Sequence, residues 1–244
     1  MLDNYVVIDL EMTGLNAKRD MILETGAVRV RNGRAAETCT ALLCTGRKLS
    51  EDVIQLTGIT EKMAAAGRQP EEAMAEFFAF LGDDVLVGQN IIFDYSFLKQ
   101  WAVNHNFSFE RRAVDTLKLS RQFLPKEQKK DLESLCTHFG IVRRNAHRAL
   151  DDAWETWQIM EILKAKFGAE NPSAFEPKPL QYKAKKVTPA TEHQKENLRQ
   201  FAAYHGLEVP PDLDQLTRNE VSRLTDLWIA GYGRMPKQNR GRAE

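Results

Sequence analysis

An α/β fold, in which helices cover a mixed sheet and a small helical module follows, is the fold class that the sequence predicts. Short apolar runs rich in β-branched residues occupy the first part of the chain, and segments with apolar residues at helical spacing follow them. After Gly168 the composition changes to prolines interleaved with lysines. The 244 residues suffice for one full-size domain and an appendage.

The first strands are predicted from apolar runs at residues 5–10, 22–30 and 39–43. Asn32 and Gly33 stand between the second run and the third, and this pair is typical of a tight hairpin because both residues tolerate a positive φ. The pattern therefore predicts three antiparallel strands. A short run at residues 85–87 predicts a further strand.

Helices are predicted after this meander. Pro70 suits the first position of a helix because its φ is already fixed near the helical value, and the apolar spacing that follows predicts a helix over residues 71–81. The same spacing predicts four further helices, over residues 95–104, 116–123, 131–139 and 149–167.

The C-terminal part is predicted to form a linker, a module and a tail. Residues 169–190 carry the prolines and lysines of an extended linker. Thr191 with Gln194 and Thr217 with Glu220 form capping boxes, which predict two helices in a module over residues 191–232. Residues 233–244 form a basic tail that is expected to fray, and it includes Lys237, Arg240 and Arg242.

The role of this module stays open at the level of sequence. Four aromatic side chains favour the core of a small helical hairpin, namely Phe201, Tyr204, Trp228 and Tyr232. The alternative is that the linker and the module hold substrate or a polymerase-like partner.

The composition excludes disordered and fibrous proteins. Hydrophobic residues make up 43% and charged residues 28%, as in ordinary globular domains. Basic and acidic residues both number 34, so net charge gives no argument for a nucleic-acid partner.

Cys39, Cys44 and Cys136 have no metal-ligand spacing and predict reduced thiols. No segment approaches the roughly 20 apolar residues that cross a bilayer, so we expect a cytoplasmic protein without membrane contact.

Two carboxylates stand at the end of the first predicted strand. Asp9 and Glu11 are two residues apart, and this spacing places both on one face of a strand. Two adjacent negative groups repel each other, and a bound divalent cation would relieve that repulsion. On its own such a pair is weak evidence for a metal site.

Two further signals strengthen the case for a metal site. Asp94 lies where the predicted strand near residue 87 gives way to a helix, a place where α/β proteins commonly bind ligands, although it could also be a helix cap. His147 precedes Asp151 and Asp152 at the opening of the last long helix of the first domain. An imidazole exchanges protons near neutral pH and is suited to act as a general base.

Three segments in this order resemble the motifs of the DEDDh exonuclease family: Asp9-Leu-Glu11, Asn90-Ile-Ile-Phe-Asp94 and His147-Arg-Ala-Leu-Asp-Asp152. Within the family, the chain most resembles the epsilon-type proofreading exonucleases of bacterial DNA polymerase III. The resemblance covers about residues 4–165, including the accessory segments at 56–60 and 115–117. It implies a ribonuclease-H-like mixed five-stranded sheet, in an exonuclease domain over residues 1–168.

The resemblance also implies the catalytic residues. Its metal ligands fall on Asp9, Glu11, Asp94 and Asp152, and its catalytic histidine falls on His147. Asp151 competes with Asp152, because at about 100° per residue it would share the face of His147 if the helix already included the histidine. The motif spacing favours Asp152, with His147 just ahead of the helix. Ligands that are all carboxylates suit Mg²⁺ or Mn²⁺, and the family implies two ions.

The implied substrate is a single-stranded 3′ end, hydrolysed to nucleoside 5′-monophosphates, and DNA is favoured over RNA. Six residues are expected to approach the terminal nucleotide or support the site: Met12, Thr13, Gly14, Leu15, Asn90 and Phe93. Met12 makes the first motif similar to oligoribonuclease, so RNA trimming is an alternative, and a non-catalytic nucleic-acid-binding protein is another. The resemblance also implies a polymerase or repair protein as a partner.

Overall fold

A computed structural model describes residues 2–46 and 48–236 of the chain. These divide into two compact units, of which the first is Met1–Ala184 and the second begins at Lys185. The α/β fold predicted from the sequence is confirmed. Lys237, Arg240 and Arg242 of the predicted tail lie outside the described residues.

The first unit is built on a six-stranded mixed sheet with the strand order β3-β2-β1-β4-β5-β6. The strands are β1 (Tyr5–Met12), β2 (Ile22–Arg31), β3 (Arg34–Leu42), β4 (Leu86–Gly88), β5 (Arg112–Asp115) and β6 (Lys178–Pro179). β1, β2 and β3 form the predicted antiparallel meander, and β4 and β5 run parallel to β1.

The prediction of five strands is wrong by one short strand. β6 lies inside the predicted linker and pairs antiparallel with β5, where Arg112 is the partner of Pro179. Leu180 and Tyr182 of the same segment pack against the core of the first unit. Proline and lysine composition could not reveal this pairing, because an edge strand needs hydrogen bonds on one side only and tolerates proline.

Helices cover both faces of the sheet. They are α1 (Glu51–Thr57), α2 (Glu61–Ala65), α3 (Pro70–Leu81), α4 (Ile92–Asn104), α5 (Thr116–Phe123), α6 (Leu132–Phe139) and α7 (Ala149–Phe167). The sequence did not predict α1 and α2, which are too short to show an apolar period. α4 begins three residues earlier than expected, so Asp94 lies in the first turn of the helix.

The alternating side chains of β1 separate two apolar cores. Val6, Ile8 and Leu10 belong to the core beneath α3 and α4, whereas Tyr5 and Val7 belong to the core beneath α6 and α7. Residues two apart in a strand share a face, so Asp9 and Glu11 continue the row of Tyr5 and Val7. The sheet therefore presents both carboxylates on the side that α7 covers.

Gly26 allows the beginning of α7 to approach the sheet closely. It is the partner of Asp9 in the register of β1 and β2. A Cβ atom at this position would lie 2.2 Å from the carbonyl carbon of Ala149 and 2.3 Å from the amide nitrogen of Leu150. Because both contacts are with backbone, no side-chain rotation could relieve them. A residue without a side chain is therefore required beneath the first turn of α7.

The second unit contains α8 (Glu192–His205) and α9 (Arg218–Tyr232), and both begin with the predicted capping boxes. Its core includes Leu198 and Val221, and Trp228 stacks on Phe201 with ring centroids 5.8 Å apart. Tyr204 and Tyr232 are exposed, so two of the four aromatic residues expected in the core lie on the surface. Aromatic content alone does not tell which face of a helix a ring occupies.

Cys136 is buried, whereas Cys39 and Cys44 are half-buried, and all three are free thiols. Over the described part of the chain, no helix combines the length and the apolar character needed to cross a membrane.

We expect Gly26→Ala to lower the free energy of unfolding by about 3 kcal/mol or more, because the added methyl group overpacks a backbone contact. Each kcal/mol lost should lower the Tm by about 2–4 °C. Gly140→Ala is the control, since Gly140 has a φ of 71° but open space around its Cβ position, and the left-handed conformation should cost about 1 kcal/mol. Equal losses in thermal unfolding of the two variants would contradict the steric explanation.

Candidate active site

The site begins with two carboxylates at the end of β1. Glu11 is buried, with 8% of its surface exposed. Its partner across the β1–β2 ladder is Glu24, whereas the partner of Asp9 is Gly26. A register shift between Glu11 and Met12 then ends the regular pairing. Met12, which pairs with Ile22, is the last residue of the strand, so Glu11 lies one residue before the chain leaves the sheet.

Asp94, which follows the parallel strand β4, lies at the same end of the sheet as Asp9 and Glu11. It lies in the first turn of α4 and is buried. Its Oδ1 accepts a hydrogen bond of 3.0 Å from the backbone N–H of Leu10, which lies between Asp9 and Glu11. The carboxyl ends of parallel strands meet at one edge of a sheet, and this geometry explains the meeting of residues that are 84 positions apart.

Asp152 and His147 come from the beginning of α7. Asp152 lies in the first turn and is buried. His147 precedes the helix and has a φ of 60°, a conformation that a residue with a side chain rarely adopts. The residue after it, Arg148, is the N-cap of the helix, so the chain turns into the helix directly after this conformation.

The structure brings Glu11, His147 and Asp152 together. Their ligand atoms all lie within 4.8 Å of one another. Asp151 is held differently, because its carboxylate accepts a hydrogen bond of 2.9 Å from the side chain of Asn145. Of the two competing acids, Asp152 is thus the one beside the imidazole.

Burial and mutual repulsion raise the pKa values of these acids. Burial raises the pKa of Glu11 from its ordinary 4.5 to about 8, and the charges of Asp152, Glu24 and Asp94 add to the shift. Burial also raises the pKa of Asp94 to about 7, against the effect of backbone hydrogen bonds. The pKa of Asp9 is raised well above its usual range by burial first and then by the charges of Asp94, Asp152 and Glu11. These shifts place Asp9 in the same electrostatic cluster.

Two arginines lie beside the cluster. Arg148 donates from Nε and Nη2 to the carboxylate of Glu24 at 2.5–3.1 Å, and the backbone N–H of Ala149 donates to the same carboxylate at 3.0 Å. Glu24 thereby holds the first residue of α7 against β2. Arg143 donates to Asp152 at 2.6 Å and to Glu155 at 2.7 Å.

The donor set fits a hard divalent cation. Carboxylate oxygens are the ligands that Mg²⁺ and Mn²⁺ prefer. Here buried carboxylates of like charge lie together with raised pKa values, and a cation between them would offset the repulsion. Asp9, Glu11, Asp94 and Asp152 could therefore hold metal.

Of the predicted substrate residues, Thr13, Gly14 and Leu15 lie in the loop that follows β1, and Met12 is the last residue of that strand. The backbone N–H of Thr13 donates to the carbonyl of Met21 and its hydroxyl accepts from the N–H of Met21, which closes the loop. Gly14 lies so close to Asp20 that a Cβ atom there would be 2.5 Å from a carboxylate oxygen. Met12 packs against the apolar core. Leu15 is 84% exposed, which excludes a place in the core.

The other two predicted residues lie beside Asp94. Asn90 has a φ of 59°, and its backbone N–H donates to Asp115 at 3.1 Å. Phe93 is half-buried against Phe97, with ring centroids 5.6 Å apart. Of the six predicted substrate residues, Leu15 and Asn90 are exposed to solvent. Phe93 and Met12 also contribute to the packing of the core, in addition to the role predicted for them.

Sequence reasoning missed four charged residues that shape the site: Glu24, Arg143, Arg148 and Glu155. Glu24 and Glu155 are buried. Glu24 gave a usable signal, because an acid inside the apolar run of β2 needs a partner when it is buried. Arg143 gave none, since an arginine in a polar loop is ordinary.

Comparison with known proteins gives three findings on sequence. The chain matches the family model described as Exonuclease over residues 6–160. It is 34% identical to DNA polymerase III subunit epsilon of Aquifex aeolicus over 169 residues, which cover 67% of this chain and 84% of that protein. It is 36% identical to DNA polymerase III PolC-type of Thermotoga maritima over 165 residues, which cover 66% of this chain. The chain spans 12% of the length of that PolC-type relative.

Solved structures give the same fold at lower identity. The nuclease domain of 3′hExo, a DEDDh family member bound to rAMP, has a TM-score of 0.60 at 18% identity and covers 73% of this chain and 98% of its own. Exonuclease X in complex with 5′ overhanging duplex DNA has a TM-score of 0.56 at 23% identity, covering 67% and 93%. The family model spans most of the first unit, and the sheet and helices match those of DEDDh exonucleases, so this chain belongs to the exonuclease family.

Proposed function

We propose that the chain is a 3′-to-5′ exonuclease that releases nucleoside 5′-monophosphates from single-stranded DNA with two divalent cations, Mg²⁺ or Mn²⁺. The observation that carries the proposal is the meeting of Glu11, His147 and Asp152 within 4.8 Å. Asp9 and Asp94 belong to the same electrostatic cluster. A protein that only binds nucleic acid has no need of buried acids that repel one another.

In the proposed mechanism the four acids hold the cations and His147 moves a proton. Two bound cations would activate a water and stabilise the leaving 3′-oxygen. A ring nitrogen of His147 takes the proton of that water, and the partly exposed ring has access to solvent for its release. Ligand atoms of His147 and Asp152 lie within 4.8 Å of each other, which keeps the base beside that ligand.

The loop after β1 is proposed to receive the terminal nucleotide. Thr13 and Gly14 hold the loop in shape, and the exposed Leu15 offers an apolar surface to the last base. Stacking and backbone contact of this kind tolerate any base sequence. Asn90 and Phe93 support the site from the Asp94 side.

We propose a DNA polymerase or repair assembly as the partner. Two relatives carry the names DNA polymerase III subunit epsilon and DNA polymerase III PolC-type, which favours DNA and a replication or repair context. Met12 is the feature that favours the RNA alternative. Matched DNA and RNA oligomers of several lengths decide between them, and we expect faster shortening of DNA; faster shortening of RNA would reverse the assignment.

Asp152→Asn should lower the rate of 3′-end shortening by more than about 100-fold, because it removes one proposed metal ligand. A 5′-labelled single strand with Mg²⁺ or Mn²⁺ measures the rate, and chelator should abolish it. Asp151→Asn is the matched control, since the neighbouring carboxylate contacts Asn145 instead of the cluster.

If Asp151→Asn lost activity and Asp152→Asn kept it, the ligand assignment would be wrong. If the wild type shortened neither DNA nor RNA, a binding protein that has kept the fold would be favoured.

The Tm of the metal-free protein should fall between pH 5 and pH 8. The pKa of Glu11 is raised from 4.5 to about 8 and that of Asp94 from 3.8 to about 7, so in this window the folded state binds more protons than the unfolded chain. Stability is then highest at the acid end and is lost as the carboxylates ionise. We expect a fall of at least about 4 °C in thermal unfolding.

Glu11→Gln should flatten this dependence, because the amide does not ionise. Mn²⁺ should raise the Tm of the wild type more at pH 8 than at pH 5, since protons compete with the metal at low pH. A wild-type Tm that stays constant or rises across the window would contradict the raised pKa values.

A further inference from the structure

Arg143 lies between two buried carboxylates of α7. Its Nη2 donates to Oδ1 of Asp152 at 2.6 Å and its Nε donates to Oε2 of Glu155 at 2.7 Å. The two acids are three residues apart, so they lie one above the other on one face of the helix. Asp152 is 5% exposed and Glu155 is 3% exposed. One guanidinium therefore serves two carboxylates that have little contact with water.

The contact with Asp152 conflicts with the role proposed for that residue. A carboxylate oxygen that holds a guanidinium N–H has one direction fewer available for a metal ion, and two cations at one carboxylate repel each other. Metal binding therefore requires Arg143 to give up at least part of its contact with Asp152.

Glu155 offers the place to which the guanidinium can move. Its Oε2 accepts from Arg143 and contacts the thiol of Cys136 at 3.7 Å, but its Oε1 is buried without a hydrogen-bond partner. A buried carboxylate oxygen without a donor is unfavourable, and such atoms in a folded protein call for an explanation. Arg143 already holds the other oxygen of the same carboxylate, and a guanidinium fork can hold both.

We propose that Arg143 is a built-in counterion that exchanges with metal at Asp152. Without metal, the guanidinium bridges Asp152 and Glu155 and offsets the repulsion between them. When a divalent cation binds, Nη2 leaves Asp152 and donates to Oε1 of Glu155, so that Arg143 and Glu155 form a two-bond pair. Arg143 thus sets the metal affinity of the site, and Glu155 makes the exchange possible. The inference rests on the proposed function, because it assumes that Asp152 is a metal ligand.

Mn²⁺ binding measured by electron paramagnetic resonance and calorimetry on the full chain tests the exchange. Arg143→Gln removes the competitor at Asp152, and we expect the Kd for Mn²⁺ to fall by at least about tenfold, the factor that corresponds to one hydrogen bond between charged groups. Arg144→Gln is the matched control. It removes the same charge from the next residue of the loop, whose side chain is exposed, and should change the Kd much less.

Glu155→Gln tests the exchange from the other side and remains informative if Arg143→Gln fails to fold. Without the receiving carboxylate, Arg143 should stay on Asp152, so we expect weaker Mn²⁺ binding. Asp151→Asn removes one negative charge from the first turn of the same helix without contacting Arg143, and it should weaken binding less. In an Arg143→Gln background, Glu155→Gln should lose its extra effect, as a double-mutant cycle would show.

The outcomes separate the two proposals. A wild type that binds no Mn²⁺ would overturn the metal site and the exchange with it. A wild type that binds Mn²⁺ with the same Kd as Arg143→Gln, or a Glu155→Gln effect no larger than that of Asp151→Asn, would overturn the exchange alone.

Discussion

Repulsion between buried and half-buried carboxylates is the constraint on which the first unit depends. Asp9, Glu11, Asp94 and Asp152 come from three separate parts of the chain, and apolar packing on both sides of the sheet brings them together. The free energy of that packing offsets the unfavourable burial of charge. A site of this kind needs a rigid sheet, because a looser framework would let the acids separate and hydrate.

The backbone around α7 shows how that rigidity is produced. Gly26 has no side chain that would keep the helix away from the sheet. Glu24 binds the N-terminal end of the helix through Ala149 and Arg148. A carboxylate at this end also interacts favourably with the helix dipole. His147 is then forced into a positive φ, a local strain that the surrounding contacts hold in place.

Sequence patterns predicted the elements whose signal is local. The β1–β3 meander and α3 were predicted from apolar period and turn chemistry, and the capping boxes of α8 and α9 from residues three apart. The pairing of β6 was missed because it depends on a contact between residues 112 and 179, which no local pattern records. The choice of Asp9, Glu11, Asp94 and Asp152 as the metal ligands stays a prediction from the motifs. The pairing of Arg143 with Asp152 and of Arg148 with Glu24 has no local signal in the sequence.

The proline in β6 has a consequence for the behaviour of the molecule in solution. Pro179 has no amide hydrogen to donate, and it occupies the outermost strand on the β5 side of the sheet. An exposed edge with a full row of donors invites the strand of another molecule and can begin aggregation. A two-residue strand that ends in proline covers β5 and offers little for a foreign strand to pair with. The segment that follows α7 thus protects the edge of the sheet against self-association.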